Sequence, residues 1–401
     1  VHLLRRRSFA LLFAGTAINQ IGSWCSLMAI WGFAAWHFHA TPGQVAVLIL
    51  SWAVPGALLG PVVGVPIDRF GPKRVLLAGD SLGAVAAFGM LLAARYSDLA
   101  WFGLLLGTAK ALSSPAAAAL PPRLVDDADL VAANGLLGAA TDSSIVFGPL
   151  LATAAIALWG FHAAFVIDGL TWAAGVAVVS RLQLRAVEPE PHERLRARLA
   201  GGFQLTARSP TLRLTMALST AVYLTWGAFA VVEPLYVRDV LGRSPTTLAV
   251  FQVVFGVGLV GAGLLVVRLG DRVASIRALA GTVVLSGVAA ATYIGTRSPM
   301  VAAGGVFLWG VDVAFFAAPA RTLLQRHSPA SAHGRVLALH GTLHSWGDLL
   351  ALPIAGFLAQ AWGVQPAALA FALVAALAGV AGLARARRLE APADLVAFAP
   401  A

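Results

Sequence analysis

Charge is what this sequence has least of: 11% of its 401 residues are charged and 59% are hydrophobic, where a soluble domain of ordinary make-up carries about 25% charged residues. That scarcity excludes a water-soluble globule. Cysteine is almost missing too. Cys25 stands alone, so no intrachain disulfide forms, and its place inside an apolar run fits a small packing residue. Of the 28 basic residues only Lys73 and Lys110 are lysines. No Gly-rich phosphate loop, metal motif or nucleophile constellation interrupts the apolar runs. No cofactor is therefore expected, and a membrane-embedded lipid-modifying enzyme is a remote alternative. The net charge of +10 does not point to nucleic acid, because the basic residues sit in short clusters between apolar runs rather than in one patch.

What is present is apolar length. Uninterrupted stretches of about 20 residues recur from end to end, each able to cross about 30 Å of hydrocarbon as a helix. Charged and Pro/Gly breaks divide them into twelve expected transmembrane helices, roughly 9–36, 43–66, 75–95, 100–120, 132–157, 162–180, 212–237, 247–267, 277–295, 300–320, 336–360 and 365–384. The opening "RRRSFALLFAG" has the charged and apolar parts of a signal peptide. Its run continues to about Trp36 without a cleavage site, so it reads as the first span. An even number of spans puts both termini on one side. Arg5, Arg6, Arg7, Arg69, Lys73, Arg74, Arg123 and the basic residues of 181–213, 268–277, 321–335 and 385–388 share that side, against Arg95, Arg238, Arg243 and Arg297 opposite. The positive-inside bias makes the termini cytoplasmic. The abundance of arginine over lysine, and of alanine, fits a GC-rich bacterial genome, so the expected location is the bacterial cytoplasmic (inner) membrane.

The longest polar stretch, "LRAVEPEPHERLRARLAGG", reads as a cytoplasmic linker over 182–211 between an N-terminal bundle, 1–181, and a C-terminal bundle with a short tail, 212–401. Within it "ERLRARL" reads as a short surface helix. A shift of 203 residues brings the two parts into register. Asp68-Arg69 falls on Asp271-Arg272, Gly107 on Gly310, Arg123 on Arg326, and Trp159-Gly160 on Trp362-Gly363. One offset across four separated places argues for a tandem repeat, hence an all-α integral membrane protein of two pseudo-symmetric six-helix bundles.

"GVPIDRFGPKR" (64–74), between spans 2 and 3, resembles the Gly-x-x-x-Asp-Arg-x-Gly-x-basic-basic signature of the major facilitator superfamily, and "GDR" at 270–272 resembles its echo in the second half. "RRRSFALLFAGTAINQIGSW", "ALSSPAAAALPPRLV", "FGPLLA" followed by "FVIDGLTW", and "EPLYVRDVLG" are similar to the drug/proton antiporter subgroup that contains macrolide efflux proteins and the enterobactin exporter. The resemblance covers nearly the whole chain. It implies the major facilitator fold, a substrate site near the bilayer midplane, and helices 1, 4, 7 and 10 lining the pathway. Where the subgroup often carries an acid in span 1 this chain has Ser23, so no coupling acid is placed there.

Read from the residues, 64–74 is a tight turn. Gly71 supplies backbone freedom, Pro72 stops extension, and Arg69, Lys73 and Arg74 obey the positive-inside bias. Asp68 gains nothing from topology, but beside arginines it can form charge-assisted hydrogen bonds or cap a helix. By resemblance, Gly64, Asp68, Arg69, Gly71, Lys73 and Arg74, echoed by Asp271 and Arg272, form the cytoplasmic gate. Gly56, Gly60 and Gly64, and Gly256, Gly258, Gly261 and Gly263, make slim helix faces for close approach, in plain packing or as a sliding contact.

Ionisable groups inside spans each cost about 2.5 to 3.5 kcal/mol on the insertion scale and call for a partner or a wet cavity. Lys110 in span 4 and Asp312 in span 10 nearly coincide under the repeat, with opposite charge. They are either a structural ion pair or part of a substrate or proton pathway. His340, His344 and Asp348 share one face of span 11, as a proton or substrate relay, buried hydrogen bonding, or a metal site. Asn19, Gln20, Asp142 and Glu233 are further pathway candidates, with Asp142 a possible partner of Lys110. Asp80 and Asp168, which the resemblance places at the periphery, suit helix–helix hydrogen bonding.

These features lead to a secondary transporter, working as a proton-coupled exporter of small amphipathic molecules by alternating access. Its partners are a small-molecule substrate, protons and the lipid bilayer, with no nucleic acid, and a monomer is the expected state. The alternative within transport is uptake, or export of a metal or metal chelate, although no metal site is assigned.

Overall fold

Helix starts are written in the chain as proline after serine, threonine or glycine. Thr41 accepts a hydrogen bond from the Gln44 N–H while Gln44 answers the Thr41 N–H, a reciprocal cap ahead of Pro42. Ser209 and Ser275 likewise accept from the N–H groups of Leu212 and Ala278. Pro72, Pro210 and Pro299 sit in the first helical turn, where a missing N–H costs nothing.

The computed structural model describes residues 2–60, 62–126, 129–185, 195–329 and 332–389. Its helices are α1 (Arg7–Gly32), α2 (Pro42–Leu59), α3 (Gly64–Phe70), α4 (Pro72–Gly89), α5 (Tyr96–Ala118), α6 (Leu130–Trp159), α7 (Phe161–Ser180), α8 (Leu195–Arg208), α9 (Pro210–Leu235), α10 (Pro245–Leu269), α11 (Ile276–Ile294), α12 (Pro299–Arg326), α13 (His333–Trp362) and α14 (Val364–Leu389). Among the described residues eight helices, α2, α4, α7, α9, α10, α11, α12 and α14, are long and apolar enough to cross a membrane. Of the other long ones, α6 is apolar over Phe147–Trp159, and α1, α5 and α13 carry Asn19 and Gln20, Lys110, and the His340–His344–Asp348 stripe. Each such residue lowers its helix's mean hydropathy. The protein is an all-α, multi-pass membrane protein. Large apolar side chains such as Leu58, Leu92, Val267, Met300 and Phe357 are exposed on its helices, as a hydrocarbon surround allows and water does not.

The 203-residue offset recurs in the backbone. α1 and α9 have 26 residues each and begin 203 positions apart. Both run into a π-helical turn, Phe33–His37 and Tyr236–Val240. α6 and α13 have 30 residues each and end at Gly160 and Gly363, whose φ of 80° and 94° are the left-handed values glycine adopts freely. A Cβ on Gly107 would lie 2.1 Å from the Trp52 carbonyl oxygen, and one on Gly310 would lie 2.1 Å from that of Phe255. Each glycine seats its helix against the backbone of a neighbour. The sequence-level glycine stripes do not work this way. Gly56, Gly64, Gly261 and Gly263 face open space, whereas Gly258 meets another helix, at the Phe307 carbonyl oxygen.

The chain divides into two compact units. Unit 1 is Val1–Pro191 with Val237–Val253, and unit 2 is His192–Tyr236 with Val254–Ala401. The middle of the expected linker, 186–194, lies outside the described residues, and the surface helix expected at its end begins α8. In unit 1, α1 packs on α6 and α7, and α4 on α5 and α7, around Phe9, Leu12, Leu76 and Leu120. In unit 2, α9 packs on α13 and α14, and α11 on α12 and α14, around Leu218, Val222, Leu279, Val283 and Phe316. Val237–Val253 is tied into unit 1 by Arg238, whose Nη1 donates to the carbonyls of Ala35 (2.6 Å) and Ala40 (3.0 Å). The Trp36 indole donates to the Arg243 carbonyl (3.0 Å).

Candidate functional site

A cavity of about 310 Å³ opens inside unit 1. Its α1 wall is Leu12, Thr16, Asn19 and Ser23, one helical face at three- and four-residue steps, with Gln20 beside them. Lys110, Ser113 and Ser114 come from α5, Asn134, Leu137 and Thr141 from α6, and Trp172, Gly175 and Val178 from α7. Three residues expected on the pathway, Asn19, Gln20 and Lys110, meet here. The Lys110 ammonium donates to Gln20 Oε1 at 3.5 Å, and Asn19 Oδ1 accepts from Ser23 Oγ at 3.4 Å.

Among the described residues one carboxylate, Asp80, lines this cavity, and a second, Asp168, lies buried where Lys110 feels its charge; neither was expected on the pathway. Asp80 is 2% exposed, with Ser113 Oγ donating to its Oδ1 at 2.7 Å. That is the helix–helix hydrogen bond foreseen for it. Glycine makes the room: a Cβ on Gly175 would meet Asp80 Oδ2 at 2.9 Å, and one on Gly79 would meet Ser113 Oγ at 2.3 Å. Asp168 is fully buried and interacts electrostatically with Lys110. Both its oxygens, the Ser26 hydroxyl and the Trp172 indole N–H beside it all fall outside hydrogen-bond geometry. Glycine at 79, facing Ser113, and at 175, facing Asp80, was the sequence signal for this arrangement. The Asp142 side chain lies outside the described residues.

Unit 2 treats its polar groups differently. Asp312 is fully buried and takes a 2.6 Å hydrogen bond from Ser286 Oγ of α11, while its Oδ1 has no partner. The sequence reading put it nearly on Lys110 under the repeat, as a structural ion pair or a pathway group. Under the repeat it falls instead on Ala109, which packs toward Gly79 of α4, and a one-residue step turns a helical side chain by about 100°. Glu233, 8% exposed, accepts from Tyr293 Oη of α11 at 2.8 Å, so in this structure it faces α11.

The histidine stripe divides into two pairs. His340 Nε2 stands 3.1 Å from both Tyr223 Oη and Ser219 Oγ of α9. His344 Nε2 stands 3.3 Å from Asp348 Oδ2, both half-exposed. Tyr223 stacks on the His344 ring at 4.0 Å, with Trp226 and Phe316 edge-on to Tyr223. No group of three His, Cys, Asp or Glu side chains among the described residues could hold a metal ion. Tyr223, Ser286 and Tyr293 escaped the sequence reading because a lone hydroxyl in an apolar helix carries no pattern.

At the α2–α4 connection, α3 exposes Asp68 and Arg69. Gly71, at φ 83°, turns the chain into Pro72. Lys73 Nζ donates to the Ser180 and Leu182 carbonyls at 2.8 and 2.7 Å, satisfying the free end of α7. Arg74 is exposed, as is Gly64. Arg69 lies over the Phe70 ring, and Asp68 makes no ion pair among the described residues. In unit 2 the echo closes, with Arg326 donating to Asp271 and Arg272 in the same short 3₁₀ turn. Elsewhere in unit 1, Asp126 joins Arg185 (2.6 Å) to Arg6 (3.2 Å), and these two cations hold its carboxyl below the usual carboxylate range, Arg185 first.

With this geometry in place, a family model described as the Major Facilitator Superfamily matches residues 12–347 and again 215–400. Macrolide efflux protein A of Streptococcus pyogenes is 23% identical over 384 residues, 89% of this chain and 90% of that protein. Multidrug efflux pump Tap of Mycobacterium bovis is 24% identical over 405 residues, 94% and 93% of the two chains. Among solved structures, a POT family transporter in complex with 5-aminolevulinic acid superposes with a TM-score of 0.72 at 12% identity, covering 96% of this chain and 97% of that one. The nucleoside transporter NupG gives 0.74 at 12% identity, covering 94% and 99%.

Proposed function

The chain belongs to the Major Facilitator Superfamily and is a secondary transporter of small molecules working by alternating access, not an enzyme; from that premise we propose that it exports small amphipathic molecules in exchange for protons, as a member of the drug/proton antiporter subgroup. The observation that carries this reading is the convergence of Asn19, Gln20 and Lys110 on one cavity. Polar and charged side chains inside an apolar bundle are costly unless they meet a partner or a wet space, and here they share one. Efflux is supported by the macrolide and multidrug efflux relatives, whose length the match spans almost fully.

The architecture we propose is twelve membrane helices in two six-helix halves, supported by paired helix lengths and glycine contacts at one offset. Both termini lie in the cytoplasm of a bacterium, a placement supported by the basic residues gathered on that side. Asp312 and Asp348 are the proposed proton carriers. Asp348 is half-exposed and paired with His344. Asp312 has one oxygen free for a proton. The gate is the 64–74 turn, echoed at Asp271 and Arg272.

The test is transport in proteoliposomes under an imposed pH gradient, with cationic drugs, macrolides, siderophores, lysolipids and organic acids as cargo. Asp312→Asn or Asp348→Asn is expected to cut gradient-driven flux at least tenfold while the protein still elutes as folded, monodisperse material. Full flux in both variants would remove them as coupling acids.

A further inference from the structure

The unit 1 cavity has donors to spare. Lysine carries three N–H donors, and the Lys110 ammonium makes one long hydrogen bond, to Gln20 Oε1 at 3.5 Å. It makes no ion pair with any carboxylate among the described residues. Asp168, whose field it feels, keeps both oxygens out of hydrogen-bond geometry. Gln20 turns its oxygen toward Lys110, and Asn19 turns its oxygen toward Ser23, so both amides keep their NH₂ groups unspent. Asn19 Nδ2 borders the gap over Gly175, 3.6 Å from where a Cβ there would sit. Among the described residues the one carboxylate in the wall, Asp80, is 2% exposed and held by Ser113. The rest of the wall combines apolar side chains, among them Leu12, Leu76 and Val179, with the polar Ser114, Asn134 and Thr141.

We propose that this cavity binds an anionic group of the cargo, a carboxylate, phosphate or sulfonate on an apolar body, with Lys110 as its counter-ion and the Asn19 and Gln20 amides as hydrogen-bond donors. The proposal rests on the transport reading and deepens it. A partly buried ammonium with unmet donors is costly unless acceptors reach it. An anion brings several acceptor lone pairs at once, whereas a cationic drug would add a second positive charge beside the first. The volume, about 310 Å³, lies at the small end of ligand pockets and suits a headgroup with one or two rings.

The experiment titrates the purified full chain in nanodiscs, by calorimetry at pH 7.5, with three probes sharing one ring system: 2-naphthoate, 2-naphthylmethanol and 2-naphthylmethylammonium. Wild type is expected to bind the carboxylate at least tenfold more tightly than the other two. Lys110→Met should bring the carboxylate within twofold of the alcohol, and Lys110→Arg should keep the preference. Equal or reversed affinities in wild type, no measurable carboxylate binding, or a tenfold preference surviving in Lys110→Met would each overturn the proposal. The wild-type series decides alone if the methionine variant does not fold. Proton-driven flux in proteoliposomes separates the two readings: flux without anion preference sinks the anion site and keeps the exporter, while anion preference without flux does the reverse.

Discussion

Units 1 and 2 repeat each other in backbone and differ in how they hold charge. In unit 1, Lys110 and Asp80 stand at the wall of a cavity. In unit 2, Asp312 and Glu233 are closed under hydroxyls, from Ser286 at 2.6 Å and Tyr293 at 2.8 Å. The swap is visible in one pair of contacts. Asp80 on α4 takes its bond from Ser113 on α5, whereas Asp312 on α12 takes its bond from Ser286 on α11. Acid and hydroxyl have traded helices, and the acid in unit 1 is the one that reaches the cavity. Repetition dictates helix length, π turns and glycine seats. The polar contents of each half are free to diverge.

The largest effect should come from the shared part. Gly107→Ala and Gly310→Ala each drive a Cβ to 2.1 Å from a backbone oxygen, a contact that only movement of whole helices relieves. Each variant is expected to lose about 3 kcal/mol or to fail to accumulate, read by thermal unfolding in detergent. Gly304→Ala, on the same helix as Gly310 with nothing within 4 Å, should leave the midpoint unchanged. Tolerance at Gly107 with loss at Gly310 would show that the two seats are not equivalent.

The divergent part predicts an asymmetry of intermediate size. Ser286→Ala leaves Asp312, fully buried with Oδ1 already unpartnered, without any hydrogen bond, at a cost of about 1–3 kcal/mol. Ser113→Ala strips the same bond from Asp80, but water in the cavity can replace it, so the cost should be smaller, about 1 kcal/mol. Paired denaturant midpoints measure the difference. Equal losses would mean that Asp80 is as dry as Asp312 and that the contrast between the halves is only apparent.

What the sequence disclosed follows the same division. Apolar run length and Pro or Ser starts marked the long helices, and the matches of Gly107 to Gly310 and of Trp159-Gly160 to Trp362-Gly363 located contacts and helix ends that recur in the structure. Lys110, Asn19 and Gln20 were legible because polar groups in an apolar run stand out singly. Facing was harder. A one-residue difference in phase separates Asp312 from the position that Lys110 occupies, and a helix turns by about 100° over that step. Asp80 and Asp168 were read as peripheral because the resemblance ranked helices rather than faces. The face of α4 that carries Asp80 turns inward over Gly175. Hydroxyl partners such as Ser113, Ser286 and Tyr293 depend on which helices touch, and no local pattern announces that.

The smallest predicted effect lies outside the spans, where unit 1 links its first segment to the residues after α7. Asp126 bridges Arg185 and Arg6, and its folded-state carboxyl is held below the ordinary value of 3.8, chiefly by Arg185. A depressed carboxylate contributes stability that is fully present above its unfolded value and lost as pH falls through its folded one. The midpoint difference between wild type and Asp126→Asn should therefore be constant from pH 7 to about pH 5 and shrink toward zero below the ordinary carboxylate range. The pair is exposed, so about 1 M salt should erase the difference at neutral pH. A difference that persists in acid would mean that Asp126 acts through the shape of the turn before α6 rather than through its charge, and the bridge from Arg6 to Arg185 would then be incidental.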